Sequence, residues 1–389
     1  MNATIWLYLW DAHDEGIERS LDTIQAAGLQ SISVATSYHT GRFIHPHNPR
    51  RKVVFPEEGT IYFRPDLSLY KRIKPKVNSL VESADPMPKL AAEAKKRGLG
   101  MVSWTVLLHN HLFGTLYPDC TIQNAFGDRY INSLCPACPD TREYIIALCK
   151  NIASLGYFDI LQLESFDYMD LGMGYIHEKI GLVVPPLEYA LLGTCFCSHC
   201  EKFAQAAGVD FQQVRTYTRT TLQNLFDGKS QPNPEPWRKV LSSVLHGEFE
   251  KFIGARKKVV TSFVEEIRGA IKPYGTKLQP MVWASPSILD FYGADLKSLS
   301  KIADEFIVLG YPPDLVEFET FLDSYLQALS PSKPVLGFSA IHPTTRDILL
   351  GKFQISKKKG VNRFSIYNYG LMPLQNLSWV REALSGQRV

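Results

Sequence analysis

Short apolar runs alternate with helical patterns along the chain, and the alternation repeats eight times. The run "ATIWLYLW" (3–10) predicts a buried strand, and "DEGIERSLDTIQAAG" (14–28) predicts a helix. In that helix Asp14 is placed as N-cap, Ile17, Leu21, Ile24 and Ala27 share one face, and Gly28 is the stop. "SISVATSY" (31–38) is the second strand, and a long loop rich in Pro, Arg and His follows to about residue 84. A helix over 85–98 leads to strand three, "MVSWTVLLH" (101–109). A helix over 139–156 leads to strand four, "FDILQLESF" (158–166). Strands five to eight are read at 277–285, 305–312, 334–341 and 363–370, with helices at 293–302, 315–329, 344–359 and 376–385. The runs are continuously apolar, as strands covered on both faces must be.

Eight such units predict a (β/α)8 TIM barrel of the α/β class. An open doubly wound sheet would carry a Gly-rich phosphate turn after its first strand, where this chain has "WDAHDEG". There is no repeat of solenoid length and no low-complexity linker, so 1–389 reads as a single barrel domain. Within it, 166–249 is an insertion after strand four that holds a cysteine cluster and several helices.

In a barrel, chemistry gathers where the strands end. Strand one ends in Trp10, Asp11 and His13. Strand two ends in Tyr38, His39 and Arg42, followed by His45 and His47. Strand three ends in His109, Asn110 and His111. Glu164, Asp167 and Tyr168 follow strand four, Trp283 and Ser285 strand five, and Tyr311 and Asp314 strand six. His342 follows strand seven, and Tyr367, Asn368 and Tyr369 follow strand eight. Six of the ten histidines fall at the ends of three strands. Together with the aromatics they describe a wall suited to a hydroxylated ligand. Trp10, His13, His39, Arg42, His109, His111, Tyr168, Trp283, Tyr311 and Asn368 are the candidate substrate-binding residues. Glu164 is the sharpest candidate for chemistry, because a carboxylate closing the apolar run "ILQLES" is costly to bury without a purpose. Glycosidic cleavage ordinarily needs a second carboxylate. Asp11, Asp167 and Asp314 are the candidates for it.

Composition changes this picture little. Net charge is +3, and the longest basic run, Lys357-Lys358-Lys359, sits at a predicted helix end where cations suit the dipole, so nucleic acid is not an expected partner. No apolar stretch is long enough to span a bilayer, and the N-terminus lacks the pattern of a signal peptide. The seven cysteines are odd in number and clustered, which argues against a disulfide framework and for a reducing, cytoplasmic setting. Nothing in the chain specifies an oligomeric state, and a homo-oligomer is compatible with it.

The cysteine spacing carries its own chemistry. "GTCFCSHCEKF" (193–203) places Cys195, Cys197 and Cys200 at CxCxxC spacing, and "SLCPACPDTREYI" (133–145) adds Cys135 and Cys138 upstream. Thiolates at such spacing face one Zn²⁺ when a fourth ligand closes the tetrahedron. Unliganded thiols are the plain alternative. "CPACPDTREYI", the strand-four glutamate and "CFCSHCEKF" together resemble the glycoside hydrolase family 42 β-galactosidases. That resemblance, confined to about residues 133–205, implies a structural zinc held by Cys135, Cys195, Cys197 and Cys200, with His199 outside the set and Glu164 as acid/base.

The chain departs from that family in two places. Leu163 stands where Asn precedes the glutamate, and "PVLGFSAIHP" has no strand-seven nucleophile. The segment "LCPACPDTREYIIALCKNIASLGYFDILQLESFDY" also resembles a broader group of glycoside-hydrolase-like barrel proteins, in which the strand-four acid could be a nucleophile. The expectation is a glycosidase acting on a small oligosaccharide or glycoside. Two alternatives stand beside it. One is another barrel enzyme, an isomerase, lyase or metal-dependent hydrolase using the histidine-rich rim. The other is a non-catalytic sugar-binding barrel.

Overall fold

The computed structural model describes residues 2–169, 171–172, 178–230 and 235–386. Eight parallel strands form its centre. They are β1 (Asn2–Leu7), β2 (Ser31–Tyr38), β3 (Gly100–Val106), β4 (Ile160–Glu164), β5 (Lys277–Val282), β6 (Phe306–Leu309), β7 (Pro334–Ser339) and β8 (Arg363–Tyr367). Each pairs with its neighbour, and β1 pairs with both β2 and β8, so the sheet closes into a barrel. The main outer helices are α1 (Ile17–Ala26), α2 (Pro86–Lys96), α3 (Pro139–Ser154), α4 (Glu248–Ile271), α5 (Leu296–Leu299), α6 (Leu315–Ala328), α7 (Arg346–Lys358) and α8 (Asn376–Ser385). This is the (β/α)8 architecture expected from the eightfold alternation. The connection from β4 to β5 adds helices at Pro186–Leu192, Ser198–Ala206, Phe211–Phe226 and Trp237–Ser243 before α4. Among the described residues no helix is long and apolar enough to cross a membrane.

The strands are nearly all buried because helices cover one face and the barrel interior covers the other. That interior is not wholly apolar. Trp6 Nε1 donates to Gln162 Oε1 at 2.7 Å, and Gln162 Nε2 donates to Gln279 Oε1 at 2.6 Å. Gln279 in turn donates to Glu305, which pairs with Arg363 at the mouth opposite the strand ends. Each of these five side chains has a partner, which removes most of the cost of burying it.

The first unit differs from the expected one. The strand stops at Leu7, and a short helix (Leu9–Glu15) begins at once. Asp11 causes the change, since one of its carboxylate oxygens, Oδ2, accepts the Tyr8 backbone N–H at 3.2 Å. A carboxylate three residues into a helix that reaches back to the N-cap satisfies a donor that would otherwise be orphaned. Gly16 (φ +93°) then breaks this helix from α1, so Asp14 closes the first helix instead of capping the second.

Candidate active site

Glu164 is the last residue of β4, and Ser165 turns left-handed just after it (φ +53°). The turn is held by the loop after β3, where the N–H groups of Leu107 and Leu108 donate to the carbonyls of Glu164 and Ser165, both at 3.0 Å. The carboxylate is partly open to solvent, and Oε2 accepts a hydrogen bond from the Trp104 indole of β3. Burial pushes the Glu164 carboxyl above its ordinary range, against the opposing pull of His39 and the Trp104 hydrogen bond. A carboxyl inclined to keep its proton is what a general acid needs.

The floor around Glu164 is aromatic. The Tyr8 hydroxyl lies 3.1 Å from that of Tyr38 and 3.2 Å from that of Tyr367. Trp104 packs against Tyr38, Tyr8 and Tyr367 with ring centroids at 4.8, 5.3 and 6.1 Å. Burial raises the pKa of Tyr38, Tyr311 and Tyr367, and the negative charge of Glu164 adds to it in all three. These phenols therefore stand protonated near the carboxylate. Tyr311, on the loop after β6, leaves 42% of its surface open. Tyr8 and Trp104 were not expected here, because inside apolar strands their side chains look like core. Only the position within the strand, pointing into the barrel near its upper end, distinguishes them.

One wall is built from histidines. His39 stacks on Tyr38 and on His109, each at 4.4 Å between centroids. Nδ1 of His39 faces the Thr40 carbonyl at 2.7 Å and so carries the proton. Burial, with His39 and His111 adding to it, lowers the His109 pKa to about 3, so this ring is neutral at physiological pH. Glu58 clamps the wall by accepting the Thr40 N–H at 3.0 Å and the His111 N–H at 3.2 Å.

The other candidates divide. Asp11 is fully buried, and its Oδ1 pairs with Nδ1 of His45 at 2.9 Å. His45 Nε2 accepts from the Trp10 indole at 3.3 Å, and Trp10 lies behind Tyr8, stacked at 4.3 Å. Asp11 and Trp10 thus support the floor and present no surface to a substrate. Gly370 is required there, because a Cβ on it would lie 2.1 Å from Asp11 Oδ2. Asp314 is exposed and caps α6, accepting from the N–H groups of Val316 and Glu317 at 2.7 and 3.1 Å. Asp167 is buried, on the side of Tyr325, and adds to the burial that raises that phenol's pKa.

Asn368 is fully buried, its Oδ1 accepting the Gly370 N–H at 3.0 Å, and Tyr168 is 1% exposed, so both lie beneath the surface. His13 meets Arg50 at 3.4 Å on the outside of the short helix. Trp283 is 38% exposed beside Tyr292. Arg42 lines a groove of about 720 Å³ with Phe43, Pro46, His342 and Trp379.

Four of the seven cysteines gather, the CxCxxC three with Cys135. The Sγ atoms of Cys135, Cys195, Cys197 and Cys200 all lie within 4.8 Å of one another, and all four residues are buried. Cys135 Sγ is 3.6 Å from those of Cys197 and Cys200 and 3.9 Å from that of Cys195. A tetrahedron of sulfurs about 2.3 Å from a central Zn²⁺ has edges of about 3.8 Å, so these thiols fit the ion. They are too far apart for disulfides, and each is a free thiol. Cys138 is instead hydrogen-bonded to Cys120, outside the cluster, and both are free thiols. The cluster joins two parts of the chain. Cys135 follows a hairpin (Thr121–Gln123 with Arg129–Leu134), and the other three start the helix Ser198–Ala206. A backbone bond from Phe196 N to Gln123 O at 2.6 Å closes the same junction. The second metal-like group among the described residues, Asp119–Cys120–Asp140, has Arg72 bound to both of its carboxylates. No histidine belongs to either group.

Neither protein-family models nor curated protein sequences match this chain. Solved structures do. The glycoside hydrolase domain of PgaB (BpsB) from Bordetella bronchiseptica superposes with a TM-score of 0.63 at 14% identity, covering 100% of both chains. The catalytic domain of β-amylase from Paenibacillus polymyxa gives 0.60 at 13% identity, over 100% of this chain and 99% of that one. A β-galactosidase from Marinomonas ef1 gives 0.60 at 9% identity, over 99% of this chain and 59% of that one. The structural neighbours are thus glycoside hydrolases, and at these identities the likeness establishes the shared barrel fold.

Proposed function

We propose that this protein is a glycoside hydrolase acting on a small oligosaccharide or glycoside, with Glu164 as its general acid/base. The observation that carries the reading is the Glu164 carboxyl itself: at a strand end, inclined to hold its proton, oriented by the Trp104 indole and set in an aromatic floor. Protonated Glu164 donates to the leaving glycosidic oxygen as that C–O bond breaks and a second carboxylate bonds to the anomeric carbon; water then displaces that carboxylate, giving its proton back to Glu164. Tyr38, Tyr311 and Tyr367 supply hydroxyls and ring faces for a sugar. Zn²⁺ held by Cys135, Cys195, Cys197 and Cys200 would act structurally, since four thiolates leave it no open position. Reduced thiols at that site suit a cytoplasmic setting.

A screen of aryl glycosides followed by Glu164→Gln tests the assignment. Turnover of a cleaved glycoside falls by about 10²–10⁴-fold. Wild-type turnover in that variant overturns the role of Glu164. A second reading, a sugar-binding barrel without turnover, draws on the commitment of Asp11 to His45 and of Asp314 to the start of α6. Sugar binding by calorimetry without cleavage of any glycoside in the screen would favour it.

A further inference from the structure

Arg256, on α4, is 2% exposed, and no ion pair joins it to a carboxylate among the described residues. Its Nε donates to the Phe291 carbonyl at 3.1 Å, while Nη1 and Nη2 have no acceptor among the described residues. The guanidinium carbon lies 4.1 Å from the centre of the Tyr168 ring, between that ring and those of Phe252 and Phe291. A buried cation with two unsatisfied amino groups costs several kcal/mol unless negative charge is near. The described surroundings of Arg256 show rings and one carbonyl, and the rings' faces offset only part of that cost.

The missing negative charge lies beyond Tyr168. The Tyr168 hydroxyl is 3.2 Å from Cys200 Sγ, one of the four clustered thiols. Four thiolates around a Zn²⁺ ion carry a net dianion, which needs compensation when buried. We propose that Arg256 is the counter-charge of the tetrathiolate zinc centre, acting across the Tyr168 ring, with the Tyr168 hydroxyl donating to the Cys200 thiolate.

The proposal rests on the zinc reading and adds to it two residues that no spacing rule would pick. It also explains why a Tyr four residues beyond Glu164 is buried. Tyr168 ties the chain leaving β4 to the cysteine cluster, and its N–H donates to the Tyr292 carbonyl at 3.1 Å. Arg256 and Tyr168 are positioning residues, reaching the metal only through Cys200.

The test is metal affinity, read by competition with a chromophoric chelator and by the thiolate charge-transfer bands of the Co²⁺-substituted protein. Wild type holds one Zn²⁺ per chain. Arg256→Met weakens it by about 10–100-fold, the usual cost of losing an outer partner of a metal ligand. Arg256→Lys, which keeps the charge, recovers most of the loss. Tyr168→Phe, which keeps the ring and loses only the hydroxyl, shifts the Co²⁺ bands and weakens binding less, and it serves if Arg256→Met fails to fold. Wild-type affinity in Arg256→Met, or unchanged bands and affinity in Tyr168→Phe, overturns the proposal and leaves the zinc reading intact. A wild-type chain that takes up neither Zn²⁺ nor Co²⁺ overturns both.

Discussion

At the scale of single residues, Glu164 shows why a charged group at the end of an apolar strand is informative. Burial outweighs the pull of His39 and the Trp104 hydrogen bond, so the carboxyl is held above its ordinary pKa, and the folded state bears a cost whenever Glu164 ionises. The sign follows by linkage. The unfolded chain releases this proton near the ordinary value of 4.5, and the native chain releases it at higher pH. The contribution of Glu164 to stability is therefore intact below 4.5 and is lost as pH rises through the raised folded pKa. Glu164→Gln, with no proton to lose, should melt at a higher temperature than wild type at pH 7, and the gap should close as pH falls below the ordinary carboxyl range. Thermal melts of both proteins across that range check this, and a constant gap at all pH values would contradict it. Trp104→Phe removes a bond that favours the ionised form, so the alkaline limb of the pH–rate profile should move upward. A limb that stays in place would deny Trp104 that role.

At the scale of elements, the segment after β2 is fastened to the short helix and to the end of β8 by two histidines. His45 pairs with Asp11, and His47 Nδ1 lies 2.7 Å from Glu15 while its Nε2 lies 2.8 Å from the Tyr369 carbonyl. Both nitrogens of His47 face acceptors, so the ring holds the segment best as an imidazolium. Burial alone would lower its pKa, but Glu15 and the Tyr369 carbonyl together raise it above the ordinary 6.5. The stability it contributes is present below 6.5 and is lost as pH rises through the raised value. Limited proteolysis within 42–54 should therefore quicken in wild type as pH rises through neutrality, whereas in His47→Gln the rate should be high and flat. A pH-independent rate in wild type would remove the clamp. These histidines were legible as a cluster at the barrel rim, because six of ten fell at three strand ends. Their division into a wall beside Glu164, a clamp and, in His13, an outward-facing ring was not legible. It depends on Asp11, whose bond to the Tyr8 N–H ends β1 early and turns the expected strand end into a helix. Asp314 could have been read as a cap, since an Asp directly before "LVE" is an ordinary helix start.

At the scale of the molecule, the barrel was readable because each strand is covered on both faces, so its apolar run is continuous and hard to mistake. The floor was hidden for the same reason: Tyr8 and Trp104 sit inside such runs, where an aromatic under a ligand and one in a core look alike. The cysteine cluster was readable through spacing that brackets β4, although the sulfurs meet only because the hairpin at 121–134 folds against the helix at 198–206. That junction ties the segment before α3 to the connection between β4 and β5, so the metal should matter to the whole chain's stability rather than to one loop. Binding at a thousandfold excess of free Zn²⁺ over Kd stabilises the native state by about 4 kcal/mol. At about 2 °C per kcal/mol for a chain of this size, stripping it should lower Tm by roughly 8 °C. Cys197→Ser should melt near the stripped wild-type temperature and gain nothing from added Zn²⁺. Equal Tm values with and without a strong chelator, in a preparation shown by elemental analysis to hold one zinc per chain beforehand, would mean that the cluster binds the ion without using it to hold the insertion against the barrel.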